Sequence, residues 1–486
     1  MRVLFLSLWY PNAENPVLGT FVHEQAVALR EAGADIRIVQ PLPLTPFPVP
    51  WLKASYRKLA SIPQREIHQG FEVYHPRYLT LPRHLYFEHV GDWMYEGIRS
   101  VLTDLYRSWP FEIIHAHATY PCGHAANAVR DRDLPSVKVV HTIHGTDIRD
   151  APTYNRRCLE KVRASLENAD WNVFVSQEGR RLALDYTQGR CAGTSEYITN
   201  GVSTKTFQLS DADRAEVERM KDAGGEGWNL LFVGNVSEAK GIKELLEAVA
   251  RLRDQGERRL RLFLVGHDKL GTYVDHFLKA HNLEATVRRI GPVPHERIKI
   301  WMNFADAFIL PSHFEGLPTV LFEALYAGLP SVFTRVGGVG DIVEDGGHAL
   351  LIEPRSIAAI ENAIGRLMNS PALCRSLGDN GQRLIRENFT WAINAGRQMD
   401  VYRKVLHEAP GATTGRNGET GTISYAESID VAENGGQRVL QRAFSGVPRA
   451  FLPTAWRIAG NAPEERTFPP AIMETGVREQ RCATFS

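Results

Sequence analysis

The sequence predicts an α/β protein with two tandem doubly wound parallel sheets. These are Rossmann-like domains facing a central cleft, followed by a weakly structured C-terminal tail. Three observations lead there. Short unbroken apolar runs rich in β-branched residues alternate with amphipathic stretches of helical period, the pattern of parallel strands covered on both faces. That alternation stops in a charged, glycine-ended segment at 205–227 and then starts again. After Ala409 the apolar period fades into Gly, Thr, Ser, Glu and Asn, so 409–486 reads as disordered or loosely attached, with Val439–Phe451 as a short helix.

The elements follow in order. In the first domain (1–204), Val3–Leu8 reads as a buried strand, Phe21–Ala32 as a helix closed by Gly33, and Ile36–Gln40 as a second strand. Further strands are expected at Glu112–His115, Val137–Ile143, Trp171–Val175 and Glu196–Ile198. Residues 205–227 read as a linker. In the second domain (228–390), strands are expected at Asn229–Val233, Leu260–Val265, Thr286–Ile290, Ala307–Leu310 and Ser331–Thr334. Helical patterns at Ile242–Arg253, Tyr273–Ala280, Glu296–Phe304 and Val320–Ala327 separate them, and Ile357–Met368 and Ala372–Glu387 follow. Residues 391–408 form a last helix able to cross back to the first domain. Ligands of such sheets bind beyond the carboxyl ends of the strands, which makes a cleft between the domains the natural site.

Composition narrows the class. The chain has 486 residues, with 56 basic and 56 acidic side chains, and this balance speaks against a general nucleic-acid coat. No run approaches the roughly 20 apolar residues of a membrane span. Met1-Arg2 and the following apolar residues read as a first strand rather than a signal peptide. Five scattered cysteines, none in a CxxC pair, point to a reducing compartment, and hence to a cytoplasmic protein. Between 51 and 83 there are six basic residues against two acidic. Trp51, Lys53, Arg57 and Lys58 in that insertion make either a solvated loop or a patch for an acceptor or a membrane surface, a peripheral contact.

Two constellations carry the chemistry. In Phe308-Ile-Leu-Pro-Ser-His-Phe-Glu-Gly-Leu-Pro-Thr-Val-Leu-Phe-Glu323, a strand ends at Leu310 and a loop delivers Glu315 and Gly316. Pro318 at the expected helix start leaves the amides of Thr319, Val320 and Leu321 open for an anion. Glu315 and Glu323 flank that pocket, and acceptor-only carboxylates suit vicinal sugar hydroxyls; a surface loop with a solvated helix glutamate is the plain alternative. In Leu231-Phe-Val-Gly-Asn-Val-Ser-Glu-Ala-Lys-Gly241, Lys240 stands at a helix start against the dipole's preference and calls for an anion such as a diphosphate. A chance surface lysine is the alternative there.

In the first domain Gly19 and Thr20 open a helix and offer backbone donors, without a GxGxxG fingerprint. His115 and His117 end one strand, and His141, His144, Gly145, Thr146 and Asp147 end the next. These histidines lack the spacing of a metal motif and read as a hydroxyl-binding wall, with His115 and His141 open to a purely structural role. Asp131-Arg-Asp133 and Asp211-Ala-Asp213 match an aspartate-x-aspartate metal pattern only superficially, reading as a helix end and a helix cap. No metal or other cofactor is expected.

At these residues the sequence resembles glycosyltransferase family 4, the retaining sugar-nucleotide transferases of GT-B fold, over residues 1–408. The resemblance is carried by Glu315 and Glu323 with seven residues between, and by "FVGNVSEAKG", "ITNGVSTKTF", "HTIHGTDI" and "TRVGGVGDIVEDG". The run "WMNFADAFILPSHFEGLPTVLFEALYAGLP" is similar to enzymes of polysaccharide, teichuronic acid and lipid-linked oligosaccharide assembly. The resemblance implies a metal-independent hexosyltransferase that uses a nucleotide-sugar, UDP-linked as the commonest family donor, on a glycan or lipid-linked acceptor. It implies that Glu323 holds the ribose, and that Glu315 holds the donor sugar. Gly316, Leu317, Thr319 and Val320 would surround sugar and diphosphate, Lys240 would pair with the diphosphate, and Gly19 and Thr20 would approach it from the first domain. His144 would touch the sugar near the reacting centre, His117 would line the wall, and Asp147 would orient the acceptor or His144. The family commonly has Arg where this chain has Asn235, so one cation is missing at the leaving-group site. A non-catalytic GT-B partner subunit, a phosphorylase and a sugar-nucleotide epimerase stay open as alternatives.

Overall fold

A computed structural model describes residues 1–44, 54–81 and 84–407. Trp51, Lys53 and the tail from 409 onward lie outside the described residues.

The first sheet has eight strands among the described residues: β1 (Arg2–Ser7), β2 (Asp35–Val39), β3 (Arg65–His68), β4 (Phe71–Tyr74), β5 (Ile113–His117), β6 (Lys138–Ile143), β7 (Trp171–Phe174) and β8 (Ser195–Tyr197). Their order across the sheet is β8-β7-β6-β5-β1-β2-β4-β3, parallel except for the β3–β4 hairpin. That hairpin corrects the reading of 51–83 as a loop. Phe71 and Val73 are buried on the core side, and Val73 pairs with Ile38 of β2. Two of the basic residues there have structural partners: Arg65 pairs with Glu72, and Arg77 donates to the carbonyls of Leu59 and Ile62 at 3.0 and 2.6 Å. Arg57 and Lys58 are exposed on the short helix Ala54–Ser61.

The second sheet holds β9 (Trp228–Val233), β10 (Leu260–Val265), β11 (Val287–Gly291), β12 (Ala307–Leu310), β13 (Ser331–Thr334) and β14 (Leu350–Ile352). It is wholly parallel in the order β11-β10-β9-β12-β13-β14. β14 was not among the strands expected from the sequence. In each sheet the strand order reverses once, at β1/β5 and at β9/β12, and crevices open at these points.

Three helices position the site. Helix α1 (Thr20–Glu31) follows β1, α3 (Ile242–Asp254) follows β9, and α4 (Thr319–Tyr326) follows β12. Between the sheets, 205–227 is no loose linker, because it contains α2 (Asp211–Gly224). Ser210 and Asp213 close a capping box there, and Asp213 also pairs with Lys299 at 2.7 Å. The Asp211/Asp213 pair is therefore helix-capping, as read. Helix α5 (Trp391–His407) packs its buried Ala395, Met399, Tyr402 and Val405 into the core of the first sheet, against Val22 and Phe5. Tyr402 meets His115 there, Oη to Nδ1 at 2.6 Å. Among the described residues no helix is long and apolar enough to cross a membrane.

Candidate active site

The second sheet's crevice lies between the loops after β9 and β12, and it brings Lys240 to Glu315. Lys240 Nζ donates to Glu315 Oε1 at 2.5 Å, and Ser312 Oγ donates to the same oxygen at 2.6 Å. The carboxylate side chain is 10 % exposed and the ammonium 27 %, so the pair is sheltered without being sealed. One turn away α4 begins. Pro318 is its N-cap, and the amides of Thr319 and Val320 take no acceptor among the described residues. The amide of Leu321 donates to Pro318 O at 3.1 Å, so the open pair is Thr319 and Val320 rather than all three. On the next turn Glu323, 6 % exposed, receives His295 Nε2 on Oε1 at 2.8 Å.

The first sheet's crevice has a different chemistry. His115, His117 and His144 form a column, with ring centroids 4.6 and 5.4 Å apart and planes within 25° and 12° of parallel. His117 Nδ1 and His144 Nε2 share a hydrogen bond of 3.1 Å. Burial pushes the imidazoles of His115 and His144 down to about 3, and it drives that of His117 well below its ordinary value, so the column is neutral. His144 alone of the three keeps partial access, edged by Phe21 and Trp9. Asp147 lies beneath the same loop. Its Oδ2 accepts Thr119 N–H at 2.8 Å and its Oδ1 accepts Gly145 N–H at 2.9 Å. Burial raises its carboxyl to about 6 despite those donors.

The two crevices face each other at contact distance. A Cβ on Gly316 would stand 2.7 Å from the carbonyl oxygen of His144, so only glycine lets the loops approach this closely. Arg149 Nη1 reaches across to Glu315 O at 3.1 Å while Nη2 holds Glu178 at 2.8 Å. Gln177 N–H donates to Asp341 Oδ2 at 3.0 Å. From below, the loop after β13 clamps the Glu315–Gly316 loop through Gly338 N–H to Gly316 O at 2.7 Å. Gly337, at φ +55°, would carry a Cβ only 2.1 Å from Glu315 O.

Two family models divide this architecture between them. The one described as Glycosyltransferase Family 4 matches 18–206, and the one described as Glycosyl transferases group 1 matches 213–384. A Bacillus subtilis protein named as a teichuronic acid biosynthesis glycosyltransferase is 28% identical over 408 residues, 83% of this chain and 99% of that one. The chain is a glycosyltransferase whose first domain matches family 4. Glycogen synthase of Mycobacterium tuberculosis is 25% identical over 415 residues, 83% of this chain and 94% of that one. Among solved structures, sucrose-phosphate synthase from Thermosynechococcus elongatus superposes with a TM-score of 0.66 at 21% identity, over 84% of this chain and 99% of that one. Anabaena HepE in complex with UDP gives 0.62 at 17% identity, over 83% and 100%. The protein is thus a GT-B glycosyltransferase.

Within this glycosyltransferase the expected residues divide into three groups. Lys240 pairs with Glu315, whose neighbour Gly316 meets the His144 loop, while Thr319 and Glu323 of α4 line a pocket on the same crevice side with His295. Gly19 caps α1 and Thr20 begins it, so Thr20 lines the same pocket as Thr319 and Glu323. Leu317 is 7 % exposed and packs in the second domain's core, contributing backbone only. Asn235 is exposed on the β9 loop. One expectation is corrected. His117 is fully buried behind His144 and lines no wall, because β5 ends with its side chain under the β6 loop. Asp147, read as orienting the acceptor or His144, is 4 % exposed and spends both oxygens on backbone amides, so of the two it holds the loop that carries His144. Sequence reasoning missed His295, Ser312, Arg149 and Glu24. Only the glycine pair in "TRVGGVGDIVEDG" signalled the clamp beneath Glu315.

Proposed function

We propose that this glycosyltransferase transfers a hexosyl group from a nucleoside-diphosphate sugar, UDP-linked first among candidates, to a glycan or lipid-linked acceptor in the cytoplasm, for polysaccharide or cell-envelope synthesis. The observation that carries it is the Lys240–Glu315 pair beside the open amides of Thr319 and Val320, facing His144 across the cleft. Cleaving the anomeric bond puts negative charge on the departing phosphate and positive charge on the sugar. Lys240 and the α4 amides meet the first charge, already oriented, without a metal. Glu315 keeps Lys240 in place and offers its second oxygen to a sugar hydroxyl, and Glu323 does the same for the ribose. A neutral His144 can hydrogen-bond the sugar without adding charge near the cationic centre. With Glu315 and Glu323 assigned to binding, retention would follow from attack on the same face, with the departing phosphate taking the acceptor's proton. The relatives' names support the acceptor class, and HepE complexes with UDP and UDP-glucose support the donor class. Arg57 and Lys58 would add a peripheral contact with an anionic membrane surface.

The test is a panel of sugar nucleotides with and without oligosaccharide acceptors, in EDTA, with nucleotide release and product anomer measured. Turnover of one donor in EDTA, with the α or β configuration kept, supports the proposal. An absolute requirement for added divalent metal, or inversion, overturns it.

A further inference from the structure

His295, which no motif announced, belongs to a pocket lined by expected residues such as Thr20, Thr319 and Glu323. The pocket is walled by Thr20, Phe21 and Glu24 of α1, by Ser203 and Phe207, by His295, and by Thr319 and Glu323 of α4. Both domains and the segment joining them therefore contribute. Glu24 is held by Thr206 Oγ1 at 3.1 Å, and Thr206 in turn bonds Ser203 at 3.0 Å. His295 rests edge-on against Phe207, centroids 5.5 Å apart, which fixes its ring plane. Its Nε2 then reaches Glu323 Oε1, while no donor among the described residues reaches Oε2.

We propose that His295 is a positioning residue for donor binding: it clamps one oxygen of Glu323 so that the other faces the nucleotide ribose, and it shields Glu323 from Glu24 of the opposite domain. The inference rests on the reading of Glu323 as the ribose carboxylate. Without a cation between them, buried Glu323 and half-buried Glu24 would repel each other across the cleft and Glu323 would be free to rotate. The groups that bear on His295 are Glu323 on α4, Glu24 and His23 on α1, and Glu296 beside it. Burial works against its charge. Glu323 leads the carboxylates that outweigh burial and hold its pKa above the usual value, whereas burial keeps His23 neutral, near 4. The carboxylates therefore favour the charged imidazole of His295, and raising the pH through its pKa removes the charge but not the Nε2–H donor.

The experiment uses the full chain and UDP, ADP and GDP as probes, titrated by calorimetry, with donor KM and kcat measured in parallel. His295→Ala should weaken the best-binding nucleotide roughly tenfold or more, as loss of a hydrogen bond between charged groups does, and raise donor KM with kcat nearly unchanged. His295→Gln keeps a donor and should recover most of the affinity. Wild-type affinity should fall about fivefold as the pH rises through the His295 titration, and His295→Gln should lose that step. A merely structural histidine would lower the melting temperature without moving the pH profile. Wild-type affinity in both variants, or an unchanged pH step in His295→Gln, overturns the proposal while leaving the ribose reading standing. Glu323→Ala separates the two: if it binds nucleotide like wild type, the ribose reading falls and the proposal falls with it.

Discussion

The two faces of the cleft solve opposite problems. On the second domain's face, charged groups are paired and partly open: Lys240 with Glu315, and His295 with Glu323. On the first domain's face, the column of His115, His117 and His144 is buried and neutral, and Asp147 beside it is tied to backbone amides. A face that must meet charge developing on a leaving group needs preorganised cations and amides. A face that must place one imidazole against a sugar needs rigidity, which packed, uncharged rings and capped amides provide. Each face can be broken by a change that leaves the other intact.

The largest effect is expected where the faces touch. Gly337→Ala puts a Cβ 2.1 Å from Glu315 O at a left-handed position, so the loop carrying Glu315 must move by over an ångström. Displacement on that scale costs ~10²-fold in rate, and kcat/KM should fall by at least that much. A fall of less than threefold would mean that the clamp is slack.

Asp147→Asn comes next and addresses the first face alone. An amide can accept from only one of Thr119 and Gly145, and its NH₂ opposes the other. It should cost about 1–3 kcal/mol of stability, read from thermal unfolding, and lower kcat without changing nucleotide affinity. Unchanged melting would show that the two hydrogen bonds contribute nothing.

Acidification should distinguish the faces without mutation. His115, His141 and His144, each held near 3 by burial, remain neutral in the fold but protonate near 6.5 when unfolded. The unfolded chain then binds more protons, so stability present above about 6.5 is lost as the pH falls towards 3. Asp147, raised to about 6, runs the other way: its contribution is full below about 4 and is lost as the pH rises through 6. Three histidines outweigh one carboxylate, so lowering the pH from 7 to 5 should cost about 1–2 kcal/mol per histidine. Hydrogen exchange should rise first in β5 and β6; equal loosening of β9 and β12 would contradict the contrast.

The smallest effect belongs to Asn235→Arg. At an exposed position on the charged face, an added cation should change kcat/KM by no more than about threefold, in the favourable direction. A large loss, seen in steady-state kinetics, would mean that Asn235 is fitted to the donor.

Both sheets and most of the charged face were legible in the sequence, for a physical reason. Parallel strands buried on both faces are unbroken apolar runs, and a crevice residue sits one loop beyond such a run, as Lys240 and Glu315 do. His117 was misplaced because a side chain at a strand end faces the cleft or the core according to its register, which sequence position alone does not give. The β3–β4 hairpin was hidden because an edge strand with the pattern Arg-Glu-Ile-His, exposed for much of its length, has no apolar run to show. His295 and Glu24 lie 271 residues apart and share a pocket only because two domains close on it. No local spacing carries that information.

The central claim, that the second face meets the departing diphosphate through Lys240, is tested most directly by single-turnover kinetics of Lys240→Ala on the best donor of the panel. The chemical step should slow by ~10²–10³ while donor affinity changes far less and the unfolding midpoint stays near that of wild type. Near-normal turnover by a folded Lys240→Ala protein would contradict the claim.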